Sequence, residues 1–233
     1  MESAYYLLSP MVILALDTTT AAGSVALTRN GDVLEVAPID PLQPVATRVP
    51  ADLGALLDRY RVQLPSIDVF AVATGPGSFT GLRIGIAAMQ GLAFASTKPL
   101  LGVSSFDALA SLALRDAGPA DSAVAVWIDA WRGEVYASLY EQGREMREAV
   151  VALPERVLAG SGLEGAVFIG DGAVRYRDRV PGRVVEPTPL IAGAVAGLAL
   201  KRALDGEAPP PHAIRPLYVR RPDAELAREK SSG

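Results

Sequence analysis

The chain has no cysteine and a single histidine in 233 residues. Without thiols there is no disulfide, no thiolate metal centre and no cysteine nucleophile. With His212 as the sole imidazole, a zinc site built on paired histidines lacks its second ligand. His212 stands beside Pro209-Pro210-Pro211 with no motif around it and reads as a surface residue. Long apolar runs are also missing: Ile84–Ala95 and Leu190–Leu200 come nearest to a membrane span, and both are interrupted or too short. Met1–Pro10 has neither a basic start nor a long apolar segment, so no secretory leader is expected there. A basic excess is lacking too. The 22 Lys and Arg against 26 Asp and Glu leave a net charge of −4, whereas stand-alone nucleic-acid binding rests on surplus cations. The local basic group Arg175, Arg177, Arg179 and Arg183 is diluted by Asp171 and Asp178 and reads as a solvated face. The expectation is a cytoplasmic, membrane-free protein that needs no metal or cofactor and reaches RNA only through a partner.

What is present is a strongly apolar α/β pattern, with half the residues hydrophobic. Val12–Leu16 reads as a buried strand ending at Asp17, Ser24–Thr28 as a second, and Val33–Val36 as a third after the Asn30-Gly31 turn. Four prolines between Pro38 and Pro50 hold a loop open before a helix expected over Asp52–Arg61. A strand at Asp68–Ala73 then meets the most informative stretch of the chain, Gly75-Pro76-Gly77-Ser78-Phe79-Thr80-Gly81-Leu82-Arg83-Ile84-Gly85, which opens a helix to about Ala95. Leu100–Val103 is a short strand, and Ser104 or Ser105 caps a helix through Leu114. The pattern restarts near Ser122: Ala123–Ile128 is a buried strand ending at Asp129, with Val135–Tyr140 returning across Trp131-Arg132-Gly133. Leu16-Asp17…Gly23-Ser24-Val25 is echoed by Ile128-Asp129…Gly133-Glu134-Val135. Val167–Ile169 is a further strand, Leu190–Leu204 a helix of small residues, and an extended tail begins at Pro209. Hairpin followed by strand–helix–strand, occurring twice, describes a mixed α/β fold with two similar lobes.

Several chemistries fail on spacing. The glycine turn has no lysine where a Walker A loop needs one, Arg83 being the nearest cation. It is one residue too long for a dinucleotide fingerprint, and its next strand ends at Val103-Ser104 rather than at an acid. Ser78 lacks the frame of a hydrolase elbow. Two readings stay open for Asp17, Thr18 and Thr19. They face a cleft that holds a metal–nucleotide, with Asp129 and Gly170 opposite, or they satisfy their own turn amides. The helix after the glycine turn also has two. Leu82, Ile86, Met89 and Ala93 form one apolar stripe, and Gly81, Gly85, Ala88 and Leu92 a second of smaller residues. A helix with two apolar faces lies between a sheet and another helix of its own chain, or it is a protein–protein interface. The partner-facing set expected here is Phe79, Leu82, Arg83, Ile86, Met89 and Gln90.

Met11–Leu27 with its Asp17-Thr18-Thr19-Thr20 turn, Gly75–Gly85, the run from Asp129 to Tyr136 and Pro216–Arg220 together resemble the TsaB (YeaZ-like) family, bacterial subunits of tRNA threonylcarbamoyladenosine biosynthesis. The resemblance runs in order from Met11 to Arg221. It implies the actin/Hsp70/sugar-kinase (ASKHA) fold, two ribonuclease-H-like lobes with mixed sheets. Residues 11–105 would form an N-terminal lobe carrying the partner-binding helices. Residues 106–221 would form a smaller C-terminal lobe, the helix near 190–204 packing back on the first, with flexible ends at 1–10 and 222–233. It further implies a non-catalytic homologue of a metal-dependent family, with a vestigial nucleotide cleft at Asp17, Thr18, Thr19, Asp129 and Gly170. Such a subunit forms a complex with a TsaD-like transferase that modifies the adenosine beside the anticodon, is joined by a TsaE-like ATPase, and self-associates through a similar surface. This chain departs from the family in three places: residues precede the first strand, Val45–Val49 replaces a His-Ser pair, and Trp131 replaces an arginine. The rival expectation is an ATP-dependent small-molecule kinase of the same fold, built on Asp17 and Asp129.

Overall fold

The structure, a computed structural model, describes residues 10–20, 23–40, 42–116, 123–159, 162–186 and 189–219. The expected flexible ends, apart from Pro10, the restart at Ser122 and the last residues of the tail motif lie outside them. Among the described residues, ten strands form two five-stranded sheets. In the first, β1 (Val12–Asp17) is buried along its whole length, as its unbroken apolar run requires. It pairs antiparallel with β2 (Ser24–Arg29), which pairs antiparallel with β3 (Asp32–Pro38). On its other side it pairs parallel with β4 (Val69–Ala73), and β4 with β5 (Leu100–Val103). The order is β3-β2-β1-β4-β5.

The second sheet repeats the first strand for strand. β6 (Val124–Asp129) pairs antiparallel with β7 (Val135–Glu141), and β7 with β8 (Arg144–Ala152). β6 pairs parallel with β9 (Val167–Ile169), and β9 with β10 (Arg183–Val184). The order β8-β7-β6-β9-β10 is the ribonuclease-H-like arrangement a second time, and two such lobes make the ASKHA fold. The short sequence echo around Asp17 and Asp129 therefore marks equivalent strand ends.

By contacts the chain divides into one unit of Met1–Thr74, Ser78–Val103 and Leu190–Arg215, and another of Gly75–Gly77, Ser104–Pro189 and Pro216–Gly233. In the first, Val12, Leu14 and Leu16 join a core with Val49, Leu53 and Leu56 of α1 (Val45–Arg59) and Leu82, Ile86 and Met89 of α2 (Phe79–Ala95). The strand period of two sends Ile13 and Ala15 to the opposite face, where α6 (Ala192–Leu204) packs across β1, β2 and β4. Its buried Ala192, Ala194, Ala196 and Ala199 let that helix come close. In the second unit, α3 (Ser105–Asp116) and the one-turn α5 (Asp171–Arg175) pack on β6, and α4 (Pro154–Leu158) follows β8. Trp127 and Phe168 meet edge to face there, 5.4 Å between ring centroids.

The short elements α4, α5 and β10 were not expected, and two longer ones also differ from expectation. Helix α1 starts at Val45 rather than after Pro50 and runs through that proline. Ala46, whose carbonyl loses its helical partner to the proline ring, and Pro50 itself are both exposed, so water can replace the missing bond. Strand β8 carries Arg144, Glu145, Arg147 and Glu148 in an exposed run, the charged composition of an edge, and so shows no alternating pattern.

The start of α6 is fixed from the sheet. No side chain at its N-cap position bonds to it, and the Ala192 amide donates instead to the buried Ser24 hydroxyl of β2 at 3.1 Å. Ser24→Ala leaves that amide buried and unpaired, and is expected to cost about 1–3 kcal/mol in urea unfolding.

Candidate functional site: the Asp-Thr-Thr turn and the outer face of α2

Asp17, Thr18 and Thr19 belong to the first unit and Asp129 and Gly170 to the second, so each set is described by itself. At the end of β1, Asp17 is fully buried and its carboxylate closes its own turn. One oxygen accepts from the Thr19 amide at 2.7 Å and the Thr19 hydroxyl at 2.6 Å, and the other from the Thr20 hydroxyl at 2.9 Å. Burial pushes the carboxyl above the usual range, and the bonds from Thr19 and Thr20 pull it part of the way back. The neighbouring Thr18 hydroxyl donates to the Gly81 carbonyl in the first turn of α2, at 2.8 Å. The Thr19 carbonyl accepts from the Ser78 amide at 2.8 Å, and Ser78 caps α2 through the Gly81 amide at 3.2 Å.

These contacts give the glycines of the motif their reason. A Cβ on Gly81 would overlap the Thr18 carbonyl oxygen, and one on Gly85 the Thr18 hydroxyl. At Gly81 and Gly85 the small stripe admits the Asp-Thr-Thr turn.

In the second unit Asp129 ends β6 and is paired with Arg175 of α5 at 2.7 Å, its other oxygen accepting from the Trp131 amide at 3.2 Å. Asp171 accepts from the Asp129 amide at 2.9 Å, and burial, with the nearby Asp129 charge, pushes its carboxyl up. Gly170 has φ of 111°, and a Cβ there would overlap the Trp127 carbonyl oxygen, so α5 can close on β6. The basic cluster is largely neutralised: Arg175, Arg177 and Arg179 pair with Asp129, Glu186 and Glu155. Among the described residues no group of three His, Cys, Asp or Glu side chains could hold a metal ion, and no helix is long and apolar enough to cross a membrane.

The expected partner-facing set on α2 is split by the fold. Leu82, Ile86 and Met89 are 2%, 4% and 0% exposed and belong to the core of their own unit. They are corrected to inward positions. On a helix apolar nearly all round, hydrophobicity does not say which stripe faces the sheet. Gln90 is half-buried and donates to the Pro211 and Ile214 carbonyls at 3.0 and 3.1 Å, holding the tail against the helix. Phe79 and Arg83 do lie outside, the guanidinium 4.5 Å from the ring centroid. The outer face continues through residues the sequence reading passed over: Ala87, Gly91, Ala95 and Phe94, the last 80% exposed. The four-residue spacing of Ala87, Gly91 and Ala95 was the available signal. A helix face this poor in polar groups, with an aromatic ring standing free at its end, has the composition of an interface centre rather than of a solvated surface.

Two tests follow from the turn. Glycine to alanine inside a helix ordinarily gains about 1 kcal/mol. Gly85→Ala is expected to lower stability instead, because it displaces a hydrogen-bonded hydroxyl, and Thr18→Ala in that background should cost far less than it does alone, read from a double-mutant cycle of urea midpoints. Asp17→Ala removes the acceptor for three donors and should cost about 2–4 kcal/mol, and Asp17→Asn less. Because the folded pKa of Asp17 lies above its unfolded value of about 3.8, the native state binds more protons and stability falls as pH rises through that window. Asp17→Asn should lose this part of the slope, so its deficit against wild type narrows as pH rises.

Residues 46–167, just over half of the chain, match the family model described as TsaD, tRNA N6-adenosine threonylcarbamoyltransferase. The tRNA threonylcarbamoyladenosine biosynthesis protein TsaB of Escherichia coli (strain K12) is 40% identical over 135 residues, 57% of this chain and 56% of that protein, so the chain spans little more than half the length of this relative. The protein of the same name from Haemophilus influenzae is 32% identical over 178 residues, 71% of this chain and 74% of the relative. Among solved structures, YeaZ from Pseudomonas aeruginosa matches with a TM-score of 0.75 at 36% identity, covering 89% of this chain and 99% of that one. Shared sequence and shared fold agree, and the chain belongs to the TsaB (YeaZ-like) family.

Proposed function

We propose that the protein is a non-catalytic subunit in the biosynthesis of tRNA threonylcarbamoyladenosine, acting in the cytoplasm. It docks the outer face of α2 on a TsaD-type transferase subunit, which carries the chemistry. A TsaE-type ATPase joins the pair, tRNA is met through the complex, and in the partner's absence the same face supports self-association. The observation that carries this reading is the outer face of α2, where Ala87, Gly91, Ala95 and Phe94 are exposed on an element whose other side is fully packed. The family of the relatives supplies the pathway and the kind of partner. The kinase reading is not favoured. Asp17 accepts from Thr19 and Thr20 and Asp129 is paired with Arg175, so both carboxylates are engaged within their own units.

Ala87→Asp is expected to keep the thermal midpoint of the isolated chain. It should weaken capture of the purified TsaD-type subunit about 30-fold or more, since an unpaired carboxylate buried at an interface costs about 2–5 kcal/mol. Formation of the modified nucleoside by the reconstituted complex should fall with it. Ile86→Asp should instead fail to fold. Unchanged affinity in a folded Ala87→Asp protein would remove this face from the reading.

A further inference from the structure

The second sheet is more thinly covered than the first, and the thin place is hollow. In the first unit β3 and β4 are joined through the 15-residue α1, whose Val49, Leu53 and Leu56 join the core over Leu14 and Leu16. In the second unit the corresponding connection, from β8 to β9, carries only the five-residue α4. On the sheet, Ala125 pairs with Leu139 and Trp127 with Ala137, so the four side chains share one face. A short helix over a face with two alanines leaves space that a longer one would fill. The result is a cavity of about 220 Å³, floored by these four residues and walled by Val157 of α4 and by Leu163.

The same cavity is edged by two opposite charges, Arg156 of α4 and Glu148 of β8, both exposed. Among the described residues neither side chain forms a hydrogen bond or an ion pair, with the other or with a third group. Nearby charges are committed elsewhere: Glu155 is paired with Arg179, and Glu145 accepts from the Ser138 hydroxyl at 2.7 Å. Arg147 shares the edge and is already engaged. Small-ligand sites are built in this way, with apolar walls that supply affinity and a few polar groups that fix orientation. An anion bound to Arg156 alone would leave Glu148 facing it, and a cation bound to Glu148 alone would leave Arg156. A molecule that carries both charges on an apolar body satisfies both residues.

We propose that this cavity binds a small zwitterion with an apolar body, an α-amino acid with an apolar side chain being the simplest case. Its carboxylate meets Arg156, its ammonium meets Glu148, and its side chain enters the space over Trp127. The site lies wholly within the second unit, so it is independent of the α2 face and goes beyond the docking role. The test titrates the full chain in parallel with L-leucine, with isocaproate, which lacks the ammonium, with isoamylamine, which lacks the carboxylate, and with glycine, which lacks the body. The methyl resonances of Leu139, Val157 and Leu163 are followed by NMR at constant pH and ionic strength, and the thermal midpoint is recorded. Leucine is expected to move these resonances saturably and to raise the midpoint with its concentration. Each singly charged analogue should bind about tenfold more weakly, and glycine should give no response. Arg156→Gln and Glu148→Gln, at exposed positions, should keep the wild-type midpoint without ligand and each lose about tenfold in leucine affinity. Ala137→Val, which fills the cavity, should abolish the response; should it not fold, the two surface variants decide. Resonances that stay still in leucine up to its solubility limit overturn the proposal. So do isocaproate, isoamylamine or glycine binding as well as leucine, or surface variants that bind leucine like the wild type.

Discussion

The first unit depends on the closure of a buried polar turn against the opening of a helix. Asp17, Thr18 and Thr19 sit at the end of a strand covered on both sides, where an unsatisfied hydroxyl or amide is expensive. Each is satisfied locally or by the first turn of α2, and that is geometrically feasible only because positions 81 and 85 carry no side chain. The turn therefore sets the height of α2 over the sheet. That height in turn decides which of its residues sink into the core, as Leu82, Ile86 and Met89 do, and which are left standing on the outside. The exposed row from Phe79 to Phe94 is a consequence of the turn, not an independent feature.

Much of this fold was legible in the sequence because its central strands are unbroken apolar runs and its hairpins end in glycine. Val12–Asp17, Val69–Ala73 and Val124–Asp129 needed only their patterns. The duplicated topology was visible as an echo of a few residues, since pairing like that of Asp17 with Ser24 and of Asp129 with Val135 imposes similar turn chemistry twice. Charged strand β8 and proline-bearing α1 were less legible, and for a common reason: both put their irregular residues toward water, where the usual rules of strand and helix composition relax. The site was harder still. On α2 a nearly uniform apolar composition identified the element and concealed its orientation. The glycine pair suggested close approach but not of what, because the approaching atom lies more than sixty positions earlier in the chain.

That uniform composition has its own logic. A helix buried on one side ordinarily carries charge on the other, and α2 has Arg83 as the one formal charge along its length. The cation is stacked on Phe79, which further spreads its charge over an apolar surface. What remains outward is alanine and glycine followed by a phenylalanine. Small residues allow a facing helix to come near, and the ring supplies a large anchor at one end. Solubility of an isolated chain would be better served by lysine or glutamate at positions 87 and 91, and the docking proposed for this face gives their absence a reason.

The two strand-end aspartates carry the comparison between the halves of the molecule one step further. Equivalent positions are engaged by different means: Asp17 by two hydroxyls and an amide, Asp129 by an arginine and an amide. The fold needs an acceptor at the end of its central strand to close the turn that follows, and each lobe supplies that closure with whatever donors its own sequence offers. Closure of the turn accounts for the bonds at both strand ends, whereas the outward surface of α2 is a part of the first unit that its own packing does not explain.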